Sequence, residues 1–362
     1  MTEKIKNILV ITTFVGVITI MLLVNIIKED TQISVSERRK LEQFPEISFE
    51  KIVDGSFFSK FDKYVTDQFV ARETFRKTKV LSEKEVFRKL DYNNIYEKDG
   101  MLIEQLYPLN EKSILNLANK INSIKESYLT KENKVYFTIV PDKNYFVSGD
   151  NLKLDYQKMK DIMKEQLDFA EYIDIFDELK LSDYYITDSH WKQENIQNVA
   201  KKILKAMGIE SNQKYEAKEI LEFKGVYAGQ YPITTKNDKI IILTNEMLEN
   251  CKVYNYEKNE ETKIYNMDKT KAYDKYDIYL SGATPLLRID NPNSSTNKEL
   301  IIFRDSYGSS LTPLLVEGYK KITVVDTRYI SSKILNQYIE FTNQDVIFEY
   351  STSLINDSIT IK

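Results

Sequence analysis

The sequence predicts an α/β fold: a mainly parallel central sheet with helices on both faces, behind one membrane-spanning helix. Three observations predict it. Residues 135–140, 300–303, 322–325 and 346–350 are compact runs of β-branched, aromatic and aliphatic residues without polar alternation, as in strands buried on both faces. Helical spacing stands among them: Ile114, Leu115, Leu117, Ile121 and Ile124 in 112–128, Met159, Ile162, Met163 and Leu167 before a strand at 172–176, and Leu311, Leu314, Leu315 and Val316. Alternating β and α units of this kind build parallel sheets. Finally, residues 8–27 carry no charge and, at about 1.5 Å per residue, reach roughly 30 Å, the thickness of a hydrocarbon core.

Taken in order, residues 1–30 are a cytoplasmic tip and transmembrane anchor. Lys4 and Lys6 precede the apolar run, whereas Lys28 is followed by Glu29 and Asp30, so the positive-inside bias places the amino terminus in the cytoplasm and the rest outside. The other reading is a cleaved signal peptide. The run exceeds a usual h-region, and Leu23-Val24-Asn25-Ile26-Ile27 offers no small-x-small site, which favours a retained anchor. Residues 31–92 form a membrane-proximal extension, with an amphipathic helix of Phe57, Phe58, Phe61, Tyr64 and Val65 after Asp54-Gly55. Its spacing continues through Phe69, Phe75, Val80 and Val86, which reads as a stalk helix. Residues 93–362 are the main domain. It opens with a hairpin around Asp99-Gly100, has its clearest helix at 193–207, carries a β-rich insertion at about 210–275 with an apolar strand at 240–243, and resumes with a strand at 277–280.

Composition excludes several functions. Lys and Arg total 51 against 55 Asp and Glu, a net charge of -4, so there is no basic field for nucleic acid. Cys251 is the only cysteine and His190 the only histidine, which excludes an intramolecular disulfide, a C-x-x-C motif and multi-histidine zinc sites. We expect no resident metal or cofactor.

The chemistry-bearing residues are few. In Phe303-Arg304-Asp305-Ser306-Tyr307-Gly308 an apolar strand ends in a polar turn that leads into a helix. That geometry exposes Ser306 at the carboxyl edge of a parallel sheet, although a serine there also serves as a helix cap. A serine nucleophile needs a base, and the base needs an orienting acceptor. Asp188 and His190 have the right types, two residues apart in a loop where both project to one side. A lone histidine is also an ordinary surface or core residue.

The ordered runs Tyr185-Ile186-Thr187-Asp188-Ser189-His190-Trp191, Arg304-Asp305-Ser306-Tyr307-Gly308 and Val325-Asp326-Thr327-Arg328-Tyr329 resemble the DHHW family, a Firmicutes relative of the alginate O-acetyltransferases in the SGNH-hydrolase superfamily. Further matches lie at Glu37-Arg38-Arg39-Lys40-Leu41 with Phe44-Pro45, at Asp54-Gly55, at Asp67-Gln68-Phe69 with Arg72, and at Val140-Pro141-Asp142-Lys143. The resemblance implies a three-layer α/β/α fold in which Ser306 is the nucleophile, His190 the base and Asp188 its partner. It also implies a membrane-anchored extracytoplasmic O-acetyltransferase acting on a cell-wall polysaccharide or exopolysaccharide, with an acetyl donor and a membrane-bound O-acyltransferase as partner. An acetylesterase and a noncatalytic envelope scaffold are the alternatives. Ser189 replaces the second histidine of the family name, and Ser281-Gly282-Ala283-Thr284-Pro285 replaces a Gly-Gly-Asn-like turn. Oxyanion donors are then expected from the amides of Ser306 and Gly282, with Tyr307 as a further choice. Trp191 is expected to wedge its loop against the sheet, with sugar stacking as the other reading. Arg328 and Asp326 are expected to pair beneath the site, and Lys143 to orient carboxylates or reach the substrate.

Overall fold

The computed structural model describes every residue except Met1, Val35 and Arg38, so Arg38 of the Glu37–Leu41 run lies outside the described residues. The chain divides into two compact units, Met1–Tyr92 with Ala228–Thr234, and Asn93–Tyr227 with Thr235–Lys362.

The first unit begins with α1 (Glu3–Ile27), long and apolar enough to cross a membrane and with no buried residue. A short antiparallel pair, β1 (Ile33–Ser34) and β2 (Arg39–Lys40), follows. Then come α2 (Phe49–Val53), α3 (Ser56–Gln68) and α4 (Arg72–Leu81). The continuous helical spacing predicts one run from α3 onward, but the helix breaks at Ala71, which adopts φ 58°. The corner is held from outside the helix. Gln68 is buried and bonds Thr31 through both its amide oxygen and nitrogen, at 2.9 Å each, and the carbonyl of Glu42 at 3.0 Å. Asp67 accepts two hydrogen bonds from Arg39, at 2.5 and 2.8 Å, and that guanidinium holds its carboxyl below the usual range. Arg72 in turn donates to Glu37 at 2.6 Å. The residues Glu37, Arg39, Asp67, Gln68 and Arg72, scattered through the matched runs, thus converge on one corner. Each exposed pair is worth little alone, but together they fix one geometry.

The second unit opens with the expected hairpin, β3 (Ile95–Lys98) and β4 (Met101–Glu104). There follow α5 (Glu111–Tyr128), β5 (Val135–Val140), α6 (Tyr156–Gln166), β6 (Glu171–Tyr172) and α7 (Gln197–Ala206). The segment predicted as an insertion divides in two. The strands β7 (Glu216–Phe223) and β8 (Asp238–Thr244) make a separate hairpin, with the short α8 (Val226–Gln230) in its connection. After α9 (Glu246–Asn250), β9 (Lys252–Asn255) and β10 (Glu260–Thr262) instead extend the central sheet. The predicted strand at 277–280 is instead a 3-10 turn, Lys275–Ile278, followed by an isolated antiparallel bridge from Tyr279 to Tyr265. The sheet is completed by β11 (Leu286–Asp290), β12 (Glu299–Arg304), β13 (Lys321–Val325) and β14 (Asp345–Ser351), with α10 (Gly308–Leu315) and α11 (Thr352–Asn356) after β12 and β14.

The strand order is β10-β9-β11-β13-β12-β14-β5-β6. From β13 to β6 every pairing is parallel, while β11, β9 and β10 pair antiparallel. Successive residues face opposite sides of a strand, and the core follows that rule. Leu300 and Ile302 pack on one face with Val199, Ile203, Leu311 and Leu314. Ile301 and Phe303 pack on the other with Leu117, Ile121, Met159 and Met163. Both faces are covered, which is why these strands read as unbroken apolar runs. The carboxyl ends of β5, β12, β13 and β14 lie along one edge, where open α/β sheets carry their sites.

Candidate functional site

Ser306 follows β12 at that edge, two residues before α10. Asp305 fixes the turn: its carboxylate accepts from the amide of Tyr307 at 3.0 Å and from the amide of Ser351, at the end of β14, at 2.8 Å. The turn is therefore tied to a neighbouring strand, and Ser306 Oγ is left to project.

The second half of the site is the 184–191 loop. Tyr184 and Trp191 form a β-bridge, and the amide of Tyr185 donates to the carbonyl of His190 at 3.0 Å, closing the loop on itself. Asp238 at the start of β8 accepts from the amides of Ile186 and Thr187, at 2.6 and 2.7 Å, and from Thr187 Oγ1 at 2.6 Å. Trp191 is fully buried and its indole nitrogen donates to Ser310 Oγ at 2.9 Å and to the carbonyl of Tyr307 at 3.2 Å. It thus ties its loop to the Tyr307 turn and to α10, and its burial leaves no ring face open to a sugar.

These constraints bring three side chains into line. His190 Nε2 lies 2.8 Å from Ser306 Oγ, and His190 Nδ1 lies 2.6 Å from Asp188 Oδ1. The other Asp188 oxygen accepts from the amide of Val226 at 3.0 Å. With Nδ1–H given to the carboxylate, Nε2 is the acceptor for the serine hydroxyl. Tyr276 stacks on the imidazole, centroids 3.9 Å apart and planes within 9°, and donates or accepts a 2.6 Å bond with Ser310 Oγ. Burial pushes the phenol of Tyr276 well up, so it stays neutral.

Lys143 is buried, with Nζ donating to the carbonyls of Leu102 and Ile186 at 2.8 and 3.2 Å and lying 5.0 Å from the centroid of the Tyr227 ring. Burial pulls it down to about 7, against the opposing pull of Asp188 and Asp238. It supports the Asp188 loop from beneath and is too enclosed to reach a substrate. Asp326 accepts from Arg328 Nε at 2.9 Å and Nη2 at 2.7 Å, and from the fully buried Arg304 at 3.3 Å. The expected pair is present. Arg328 also borders the site.

The expected oxyanion donors are a different matter. The amide of Gly282 donates to the carbonyl of Tyr279 at 3.1 Å, and that of Tyr307 to Asp305. The turn at Leu280, Ser281 and Gly282 is left-handed throughout, φ 51°, 63° and 77°, and this winding turns the Gly282 amide back on its own chain. Ser306 keeps its amide free of any partner among the described residues, so it is the donor that remains.

Ser306 opens into a cavity of about 440 Å³ bordered by Ser189, Arg328, Tyr329, Ser353, Asp357 and Thr360, among others. Among the described residues no group of three or more His, Cys, Asp or Glu side chains is arranged to hold a metal ion. Cys251 is buried, with its thiol on the carbonyl of Met247.

The sequence did not single out Tyr276, Asp238, the Gly225-Val226 backbone or Glu349. Glu349 lies opposite Arg304 in the register of β14 and β12 and is fully buried, and neither of its carboxyl oxygens has a hydrogen-bond partner among the described residues. Burial, with Asp305 beside it, holds this acid well above its ordinary range. An unbroken apolar strand pattern surrounds it, so a lone Glu in that run was the available signal.

Three stacked layers around a mainly parallel sheet make an SGNH-hydrolase-like α/β/α fold, with Ser306 at the carboxyl edge of the sheet. Within that class the chain shares its fold with a DHHW family protein from Eubacterium siraeum, at TM-score 0.60 and 18% identity over 75% of this chain and 94% of that one. It likewise shares it with Bacillus cereus PatB1, solved with a sulfonyl adduct, at TM-score 0.58 and 20% identity over 72% of this chain and 95% of that one. The O-acetyltransferase domain of Pseudomonas putida AlgJ aligns at TM-score 0.46 and 9% identity over 73% of this chain and 92% of that one. No family model matches the sequence. No curated protein matches it either.

Proposed function

We propose that this chain is a membrane-anchored O-acetyltransferase that acetylates a hydroxyl of an extracytoplasmic polysaccharide through Ser306, His190 and Asp188. The observation that carries the reading is the continuous Asp188–His190–Ser306 chain, 2.6 and 2.8 Å, opening into a cavity rimmed by hydroxyls. The choice of acetyl as the group and polysaccharide as the acceptor comes from the motif resemblance.

In this mechanism His190 Nε2 takes the Ser306 proton as Oγ attacks the acetyl carbonyl of a donor ester or thioester. Asp188 stabilises the imidazolium. The Ser306 amide faces the developing oxyanion, with the guanidinium of Arg328 in the same cavity. Collapse expels the donor alcohol or thiol, which leaves with the proton from His190, and acetyl-Ser306 remains. A sugar hydroxyl then gives its proton to His190, attacks the acetyl carbon, and collapse returns that proton to Ser306 as the acetylated sugar departs. The exposed ring of Tyr329, with Ser353, Asp357 and Thr360 nearby, suits a pyranose that stacks one face and hydrogen-bonds its edge.

The lysines before the uncharged run of α1 favour an outward-facing main domain, and the acetyl donor would come from a membrane-bound O-acyltransferase. The test is acetyl release from an activated ester by the detergent-solubilised full chain, beside Ser306→Ala. Equal rates in the two would remove the catalytic reading and leave a scaffold. A sulfonyl fluoride should transfer its sulfonyl group to Ser306 Oγ with loss of fluoride, a mass increase absent from Ser306→Ala. Adding an oligosaccharide acceptor separates transfer from hydrolysis: acetylated sugar supports the transferase, and acetate alone makes the chain an esterase.

A further inference from the structure

The first unit exposes an aromatic surface. Phe58 is 59% exposed, Phe44 52%, Val65 42% and Phe61 38%. They form one patch: Phe61 stacks on Phe57 at 5.9 Å, and Phe44 meets Phe61 and Tyr64 edge-on at 6.0 and 5.3 Å. On α3 the positions 57, 58, 61, 64 and 65 share one helical face, while Ser59, Lys63 and Thr66 lie opposite. Contiguous exposed apolar surface on this scale marks a contact site.

Four hydrogen bonds give the depth of that face relative to α1. Asn25, in the last turn of α1, accepts from the amide of Val70 at 2.8 Å. Lys28 donates to the carbonyl of Gln68 at 3.2 Å, the Thr31 amide donates to the Gln68 side chain at 2.9 Å, and Tyr64 Oη donates to Asp30 at 3.1 Å. Residues 64–70 are thus bound to residues 25–31, the end of the bilayer-length helix. If residues 8–27 fill the hydrocarbon core, 25–31 lie at headgroup depth, because the polar interface adds only about 5–8 Å on each side. Phe61 is then about 10 Å along α3 from Gln68, and Phe58 about 15 Å, at 1.5 Å per residue.

We infer that the Phe44–Phe58–Phe61–Val65 face of α3 lies in the outer membrane interface, so that the unit is seated on the lipid surface instead of swinging above it on a linker. The inference rests on α1 being a retained anchor. Its occupant is the bilayer, because the face is continuous with the helix that enters it. Aromatic rings with a polar tip, as at Tyr64, favour that depth, and Lys28, at the end of α1, and Lys60, beside the aromatic face, supply cations for anionic headgroups.

The test uses the full chain reconstituted in vesicles of phosphatidylcholine and phosphatidylglycerol, with an environment-sensitive fluorophore on single introduced cysteines. Cys251 is fully buried, so the unsubstituted chain reports background labelling. Phe58→Cys should give blue-shifted emission, quenched several-fold more by nitroxide lipid than by iodide, and Ser59→Cys the reverse. Ile18→Cys, within α1, reports the anchor separately. A lipid signal at position 18 with an aqueous one at position 58 overturns the inference and leaves the anchor standing. An aqueous signal at both removes both readings.

Discussion

The phenol ring of Tyr276 lies flat on the imidazole of His190, 3.9 Å between centroids. A residue 86 positions away by number thereby fixes the plane of the only histidine and places an electron-rich face against it. A cation over such a face gains about 0.5–2 kcal/mol, which favours the imidazolium formed during acyl transfer. Tyr276→Phe keeps the ring and loses only the bond to Ser310, so turnover should fall by no more than a few-fold. Tyr276→Leu should lower kcat by about 10- to 100-fold with little change in KM, since a misplaced base costs on that scale. Kinetics on an activated ester check both, and equal behaviour of the two variants would refute the role of the ring.

Gly225 sits against the Asp188 loop so closely that an added Cβ would stand 2.3 Å from the Cβ of Asp188 and 2.3 Å from the carbonyl oxygen of Thr187. Backbone cannot yield cheaply there. Gly225→Ala should destabilise the fold by about 1–3 kcal/mol through overpacking, and should reduce esterase activity further by displacing the Val226 amide from Asp188. Thermal melts and ester kinetics on the same preparation separate the two effects.

Lys143 is held near 7 by burial, below its ordinary 10.5. Between those values the unfolded chain binds more protons than the folded one, so this group adds stability as pH rises toward 10.5 and loses it as pH falls through 7. Lys143→Met deprives two backbone carbonyls of a donor, a cost of about 1–3 kcal/mol. Its melting deficit relative to the unsubstituted chain should be larger at about pH 9 than at about pH 6. A pH-independent deficit would rule out the depressed lysine.

Glu349 has the opposite sign. Its folded-state pKa lies well above 4.5, so the stability it contributes is complete below 4.5 and is lost as pH rises toward the folded value. Glu349→Gln has nearly the shape of the protonated acid and cannot ionise. The variant should gain melting temperature relative to the unsubstituted chain as pH is raised from about 5 to about 8, and a constant gap would show that Glu349 is not neutral in the fold.

Much of the fold was legible because it is written locally. The run at 300–303 is apolar on both faces, that at 346–350 is so except for Glu349, and helix 197–206 shows its stripe in a few turns. The hairpin at 95–104 was legible in Asp99-Gly100, whose residues take φ 52° and 75°. Two of the misreadings turned on partners outside their own segment. The helix through Phe69 breaks because Gln68 and Val70 bond to residues 25–42, and the 277–280 run has strand-like composition but meets residues 264–266 in an isolated bridge, Tyr279 to Tyr265, after a 3-10 turn. Oxyanion donors at Gly282 and Tyr307 were plausible by position, but hydrogen bonds to Tyr279 and Asp305 had already taken their amides.

By itself, the sequence determined the residue types on offer: one histidine, an Asp two residues before it, a serine on a strand-to-helix turn, and an uncharged stretch of bilayer length. Those are properties of composition and short-range period, and no other part of the chain can change them. Tertiary structure alone decided that Ser306 and His190, separated by 116 positions, stand 2.8 Å apart, that Tyr276 covers the imidazole, and that Val226 turns its amide to Asp188. Each of these needs two segments ordered against each other, and the energy for that comes from core burial across the whole sheet, which no local pattern records.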